Sequence, residues 1–336
     1  MIAILIVNYG RATDTVECLD SLLNVTGPPF EVFLADNGSG SEDVEILQKY
    51  CTERWEYCLH FIPYPENHGF AGAHNRLLKP LLQEERFEYI LLLNNDTVVD
   101  PGFIMAMLRV IDRPRQIEMV AARMLRYGDP TQVDSLGITF YKSGLASNRK
   151  SLDDPLLGPT GGCALYSLDL LRQIHQQAGE IFDEQFFCYA EDTDLAWRAF
   201  WLGYVAGYAQ DAIVYHKGSV SSGGPNSDFV LYYGIRNSLF VLAKDVPLAW
   251  IILNIGWIFL MHLAIPLRHV VRGKSRVIWQ LYRDFFKGMP LMLHKRSQLR
   301  THRSRSDFDV WKLTSRSFYE AGYVKNALRE LLRLSG

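Results

Sequence analysis

Paired cysteines are missing from this chain. Its five cysteines (Cys18, Cys51, Cys58, Cys163 and Cys188) are odd in number, scattered and without C-x-x-C spacing. That excludes a disulfide framework and a thiolate zinc site, and it predicts reduced thiols in a cytosolic compartment. A dominant charge is missing too. The net charge is −2, so the basic excess of a dedicated nucleic-acid binder is absent and no nucleic-acid partner is expected. No basic stretch precedes the opening run Met1–Val7, and Asn8-Tyr9-Gly10-Arg11 ends it early. It reads as a first core strand, not a signal peptide. The Gly-Lys-Ser/Thr ending of a P-loop is absent, and Val7-Asn8-Tyr9-Gly10-Arg11 is no G-x-G-x-x-G. Those absences weigh against NTPase and dehydrogenase chemistry.

What is present suffices for one large core or two moderate ones: 336 residues, 48% of them hydrophobic. Short apolar runs at Ile2–Val7, Val32–Ala35, Leu59–Ile62, Tyr89–Leu93 and Met119–Ala122 read as strands. Between them, Val16, Leu19, Leu22 and Leu23, and then Ile104, Met107, Leu108 and Ile111, recur at helical spacing. Strand–helix alternation predicts an α/β fold with a mainly parallel sheet covered on both faces, and ligands then gather at the carboxyl ends of the strands. The polar clusters Asn8-Tyr9, Asp36-Asn37-Gly38-Ser39 and Asn94-Asn95-Asp96 sit at such ends. Residues 126–160 are rich in turn formers and predict a hairpin around Ile138–Tyr141. A strand at Cys163–Tyr166, a helix near Leu168–Gln177, an acidic helix from Glu191, a strand ending at His216 and a helix from near Phe229 follow.

Several of these residues suit particular chemistry. An aspartate at a strand end, such as Asp36, accepts from a base N–H or a ribose hydroxyl, or else simply caps a turn. In Asn67-His68-Gly69-Phe70-Ala71-Gly72-Ala73-His74-Asn75, two glycines flank an aromatic before a helix, which would let backbone N–H groups approach an anion. Asp96 closes an apolar strand, where its carboxylate emerges toward a hard cation; Mg²⁺ needs only one or two protein carboxylates. His216, followed by Lys217-Gly218-Ser219, is either structural or a ligand. In Glu191-Asp192-Thr193-Asp194, at a helix start, Asp192 is the candidate catalytic base. Phe182, Phe186, Phe187, Tyr189 and Trp197 crowd it, and partial desolvation would raise a carboxylate's pKa toward the range useful for taking a hydroxyl proton. Adjacent acids there also favour the helix dipole, and Arg198 would hold one of them ionised by pairing.

In order and spacing these motifs resemble the family 2 glycosyltransferases of the GT-A fold, with a pattern like that of bacterial rhamnosyltransferases. The matching pieces are Val7-Asn8-Tyr9, Asp36-Asn37-Gly38-Ser39, Asn67–Asn75, Leu93-Asn94-Asn95-Asp96, Gly161-Gly162-Cys163 and Glu191-Asp192 with Trp197-Arg198. The resemblance implies a Rossmann-like nucleotide-binding sheet over residues 1–245, with the nucleotide-sugar half at 1–125 and the acceptor and catalytic half at 126–245. It implies donor contacts at Asn8, Tyr9, Asp36, Asn67, Gly69, Gly72, Asn75, Asn95 and Asp96. A divalent cation, Mg²⁺ or Mn²⁺, would sit on Asp96, with His216 as a further metal or diphosphate contact. Gly161, Gly162, Glu191 and Trp197 would face the acceptor. The family's metal motif often has two acids; here its first position is Asn94. The Q-x-x-R-W signature of processive members is absent, which implies one sugar per encounter. The implied activity is inverting transfer of a sugar, rhamnose among the candidates, from a nucleoside diphosphate to a hydroxyl of a lipid-linked saccharide or polysaccharide. A sugar nucleotidyltransferase would share such a sheet but wants a Gly-rich, basic loop after the first strand, where only Arg11 stands. A non-catalytic nucleotide-sugar-binding scaffold would have no need of Asp96 and Asp192.

The remaining 246–336 reads as a helical tail, apolar and then basic. Leu248–Leu267 is long enough to cross a bilayer and is interrupted only by Asn254 and His262. Between Arg268 and Arg305 there are eleven Lys/Arg against one acid, Asp284. A nucleotide-sugar enzyme keeps its site in the cytosol, and the basic run favours that same side. A helix lying in the interface of an anionic membrane reconciles these features, making the protein cytoplasmic and peripheral. The alternative is a soluble helix buried in a homodimer interface.

Overall fold

The structure, a computed structural model, describes residues 1–55, 58–218, 224, 227–323, 325 and 329; Ser219 falls outside them. The amino-terminal part alternates as its apolar periodicity requires: β1 (Ile2–Asn8), α1 (Ala12–Leu22), β2 (Phe30–Asn37), α2 (Ser41–Arg54), β3 (Leu59–Tyr64), α3 (Gly69–Leu81) and β4 (Tyr89–Leu93). Next come β5 (Thr97–Val99), α4 (Phe103–Leu108), β6 (Ile117–Arg126), β7 (Asp129–Ser135), β8 (Ile138–Tyr141), β9 (Ala146–Asn148) and β10 (Cys163–Ser167). The chain continues through α5 (Leu168–Ala178), α6 (Glu191–Trp201), β11 (Val205–His216) and α7 (Asp228–Lys244). It ends with α8 (Leu248–Val271), α9 (Ser275–Arg300), α10 (Val310–Leu313) and β12 (Thr314–Ser315).

Side chains alternate across a strand, and β1 uses both faces. Ile2, Ile4 and Ile6 enter one apolar core with α1, α2 and α4, while Ala3 and Leu5 enter a second with α3, α5 and α6. A strand buried on both sides has no polar face, hence the unbroken apolar runs. The main sheet runs β3-β2-β1-β4-β10-β6-β11-β5, with β7 on β6. Strands β1 to β4 are mutually parallel, as expected. The sheet as a whole is mixed, because β10 enters antiparallel between β4 and β6. That strand arrives from a loop after β9 instead of a helical crossover, so nothing forces it parallel.

Two features of this topology build the site. Strand β5 follows β4 almost at once and pairs antiparallel with β11, setting His216 opposite Thr97. Asp96 and His216, 120 positions apart in sequence, therefore become neighbours. The C-terminal helices, meanwhile, are no free tail. Trp250, Ile258, Met292 and Val310 share a third core with Phe140, Trp197 and Trp201, and β12 pairs with β8.

Helix α8 buries a stripe of Trp250, Asn254, Ile258, Met261 and Ile265 and exposes Ile252, Leu253, Ile255, Phe259 and Leu267. Asn254 and His262 do share a side, as their spacing requires, but that side is turned inward. Asn254 Nδ2 donates to Trp250 O at 2.9 Å, and His262 Nδ1 lies 3.0 Å from Tyr282 Oη. The outward face is apolar.

Candidate active site

A cavity of about 830 Å³ opens at the carboxyl ends of β1, β2 and β4. Tyr9, Asn37, Asn95 and Asp96 line it from the sheet, Asn67 and Gly69 from the turn before α3. Gly161 and Gly162 contribute from the loop before β10, Glu191 and Asp192 from the start of α6 and His216 from β11. Phe187, Tyr189, Phe229 and Tyr233 make an aromatic wall, with Phe229 and Tyr233 ring centroids 4.7 Å apart.

Not every candidate reaches the cavity. Asn8 and Asp36 are wholly buried and support its floor. Asn8 Nδ2 donates to Asp36 Oδ1 at 2.7 Å, Ser39 N to Asp36 Oδ2 at 3.0 Å, and Thr15 Oγ1 to Asn8 Oδ1 at 2.7 Å. Because strand side chains alternate, it is Asn37, one residue on, that faces the cavity. Asn37 Oδ1 accepts from His68 N at 3.0 Å, and its Nδ2 donates to Gly69 O at 3.2 Å.

The glycine run also differs from expectation. Its amides are already occupied: His68 N by Asn37, Gly69 N by Asn67 Oδ1 at 2.8 Å, and Ala71 N by Phe187 O at 3.1 Å. Gly69 is required for another reason. Its φ is +69°, and a Cβ there would stand 2.4 Å from Phe187 O. Gly72 and Asn75 do not line the cavity. Gly72 packs inside α3 against His68 and Arg76, while Asn75 Nδ2 donates to Phe182 O at 2.7 Å and its Oδ1 accepts from Phe182 N at 2.9 Å. Asn75 thereby holds α3 against the loop that precedes α6.

On α6 the acids divide their tasks. Asp192 presents its carboxylate to the cavity, accepting from Gly161 N at 3.0 Å and Thr193 N at 2.7 Å. Burial raises its pKa above the ordinary aspartate range, only partly offset by those amides. Glu191, 5% exposed, is pushed up much further by burial and then by the charge of Asp192. Burial therefore disfavours the charged form more strongly at Glu191 than at Asp192. Asp194 points inward to Arg198 at 2.8 Å and Lys244 at 2.5 Å, so Arg198 pairs with Asp194, and no cation among the described residues pairs with Asp192. Trp197 is wholly buried against Phe140 and Trp201 and is corrected from an acceptor contact to a core residue. Five residues after Asp192 it lies about 140° around the helix.

At the other end of the cavity, His216 Nε2 lies 3.2 Å from Asp96 Oδ1, and its Nδ1 is 2.8 Å from Asp134 Oδ2. Burial disfavours the imidazolium, but hydrogen bonds to Asp134 and Asp96 outweigh it and raise the pKa to about 10. Among the described residues no three His, Cys, Asp or Glu side chains converge as a metal cage. With a cation displacing the Nε2 proton, one carboxylate and one imidazole, the latter oriented by a second carboxylate, would nevertheless fit an ion that takes most of its ligands from phosphate and water. Lys217 is engaged by Asp14, at 2.7 Å, and by Glu17. Asp134 carried no signal in the sequence, since only the β6–β7 pairing brings it near His216.

A low-salt glycan biosynthesis hexosyltransferase of Haloferax volcanii is 26% identical over 246 residues, 70% of this chain and 73% of that protein. An N-acetylglucosaminyl-diphospho-decaprenol L-rhamnosyltransferase of Mycobacterium tuberculosis is 24% identical over 306 residues, 82% of this chain and 94% of that one. Among solved structures, a mannosyltransferase from Pyrobaculum calidifontis in complex with GDP-Man and Mn²⁺ superposes with a TM-score of 0.54 at 14% identity, covering 90% of this chain and 85% of its own. The S. aureus protein TarS in complex with UDP-GlcNAc gives 0.57 at 16% identity, covering 95% and 97%. These likenesses show the GT-A fold. The model of the family described as Glycosyl transferase family 2 matches residues 3–174, just over half the chain, so this protein belongs to that family and is a glycosyltransferase.

Proposed function

We propose that the enzyme transfers one sugar, with inversion, from a nucleoside-diphosphate sugar to a hydroxyl of a lipid-linked or polysaccharide acceptor, and that rhamnose is the sugar carried. The observation that carries this reading is the Asp192 carboxylate. It lines the cavity, is held by two backbone amides and has no cationic partner among the described residues, which suits a general base. The names of the Haloferax and Mycobacterium relatives support a hexose or rhamnose donor and a diphospho-decaprenol-linked acceptor.

In this mechanism the acceptor hydroxyl gives its proton to Asp192 as its oxygen bonds to the anomeric carbon. The bond from that carbon to the diphosphate oxygen breaks on the opposite face, its electron pair leaves with the diphosphate, and the configuration inverts. Asp96 and His216 would hold a divalent cation, Mg²⁺ or Mn²⁺, whose charge offsets the charge growing on the leaving group. Tyr9, Asn37, Asn67 and Asn95 would contact the donor, and Gly161 and Gly162 the acceptor beside Asp192. The aromatic wall of Phe187, Tyr189, Phe229 and Tyr233 offers flat apolar faces to an acceptor ring.

We also propose that residues 1–245 carry donor and catalytic chemistry, while 246–336 holds the enzyme on the cytoplasmic membrane surface. The outward apolar face of α8 and the basic run after it support that division. Thermal unfolding with a panel of nucleotide sugars, with and without Mn²⁺, tests the donor. A ligand of the native state raises the midpoint. A rhamnosyl nucleotide should raise it most, whereas no response to any nucleotide sugar would overturn the reading.

A further inference from the structure

The residues that lead into α6 adopt a backbone conformation that L side chains disfavour. Phe187, Tyr189 and Ala190 have φ of +62°, +70° and +65°, and none is glycine. Such geometry persists only where its surroundings over-determine it, and it clusters at functional sites. Two helices supply the constraint here. From α3, Ala71 N–H donates to Phe187 O at 3.1 Å. From α7, the wholly buried Asn237 turns its amide onto the same segment. Its Nδ2 stands 2.8 Å from Phe186 O, 2.8 Å from Cys188 O and 2.7 Å from Tyr189 O.

Two N–H groups are thus shared among three carbonyls. The amide has only one workable orientation, because flipping it would set its own oxygen against those three. Arg236 fixes the same orientation from behind, donating to Asn237 Oδ1 from Nε at 2.9 Å and Nη2 at 2.7 Å. That Nη2 also lies 2.8 Å from Gln185 O. Every carbonyl from Gln185 to Tyr189 is therefore held: four by α7, with Phe186 O taken by both Asn237 and Arg236, and Phe187 O by α3.

We propose that Asn237 is a positioning residue: by clamping residues 186–189 it sets the direction in which α6 presents the Asp192 carboxylate to the acceptor. Ala190, the last strained residue, is also the N-cap of α6, and Asp192 follows two positions later. A small rotation about the 187–190 segment would carry Asp192 away from Gly161 N, its contact across the cavity. The C-terminal helices thereby take part in building the catalytic site, because α7 presents Asn237 while packed against α8 and α9 in one core.

This inference rests on Asp192 being the base, so the experiment separates the two. Wild type, Asn237→Ala and Asp192→Asn are compared for rhamnose transfer from its nucleoside diphosphate to N-acetylglucosaminyl-diphospho-decaprenol. Amide hydrogen exchange over residues 185–193, which needs no substrate, is measured in parallel. Asn237→Ala should lower kcat by roughly 10²-fold, the scale of an ångström-sized misplacement, with donor KM nearly unchanged. The acid limb of its pH–rate profile should move to higher pH, because Asp192 loses the Gly161 amide that lowers its pKa. Exchange should quicken within 185–193 and stay unchanged in β1 and β4. Should Asn237→Ala fail to fold, Arg236→Gln, which frees Asn237 Oδ1 and Gln185 O, should show the same pattern in weaker form. An inactive Asp192→Asn beside a folded Asn237→Ala with wild-type kcat, acid limb and local exchange overturns the clamp alone. A fully active Asp192→Asn overturns the base, and the clamp with it.

Discussion

The proposed role of Asp192 as the base rests on how its neighbours are partnered. Arg198 and Lys244 are taken by Asp194, and Glu191 is driven toward its neutral form, leaving one ionisable oxygen pair facing the cavity. Asp192→Asn should therefore reduce transfer on the order of 10²–10⁴-fold while donor binding, followed by thermal shift, survives. Glu191→Gln, which mimics the neutral form that burial favours for this acid, should keep near-wild-type kcat; a loss as deep as that of Asp192→Asn would show that the working charge resides on Glu191. The pH dependence follows from the same site. A base works deprotonated, and burial raises the Asp192 pKa, so kcat/KM should fall with acid at a pH above the ordinary aspartate range. An acid limb at or below that range would contradict the burial argument. That Asp192 would line a cavity was legible in the sequence because acids ahead of an apolar helix are unusual. Trp197 was not separable from it by composition, since only the helical angle tells that the two side chains diverge.

Among the elements, α7 and α9 carry a buried charge cluster whose energetics can be tested. Lys244 lies 2.7 Å from Asp183, and Lys295 lies 2.7 Å from Asp183 and 2.6 Å from Glu180. Burial pushes the Asp183 pKa up, but the two ammonium groups outweigh it and hold it well below the usual range. A depressed aspartate contributes stability above its unfolded pKa and loses it as pH falls toward the folded one. Asp183→Asn should cost about 3 kcal/mol at neutral pH, the lower end for a broken buried pair because Lys244 retains Asp194. It should also flatten the loss of stability in acid, measured by urea unfolding across pH. For α8, replacing the exposed Ile252, Leu253 and Phe259 with serine should release the protein from anionic vesicles while sparing donor hydrolysis. Raised salt alone should release only part, because it screens charge and not apolar insertion. Wild-type protein that ignores vesicles and sediments as a dimer would assign the face to a homodimer. The orientation of α8 was invisible beforehand: its near-uniform apolarity concealed which side would meet α9, and Asn254 and His262 turned out to mark the inside.

At the scale of the whole molecule, two parts of the chain read very differently. The parallel strands β1 to β4 followed from their short apolar runs, and α1 and α4 from helical spacing, with β1 and β4 apolar on both faces. The antiparallel block did not, because β5 and β7 are short and partly polar and take their places through pairing. Hence Asp96 and His216 could be named separately, whereas Asp134 and Asn237 became visible only once distant segments met. The C-terminal helices share a core with residues of the first 245, so the central claim is best tested on the intact enzyme. Purified protein would be incubated with a rhamnosyl nucleotide, N-acetylglucosaminyl-diphospho-decaprenol and Mn²⁺, and the product's mass and anomeric configuration determined. The account predicts one added sugar with configuration inverted relative to the donor, and a rate from Asp192→Asn lower on the order of 10²–10⁴-fold. A product with retained configuration, or equal yield from Asp192→Asn, would contradict it.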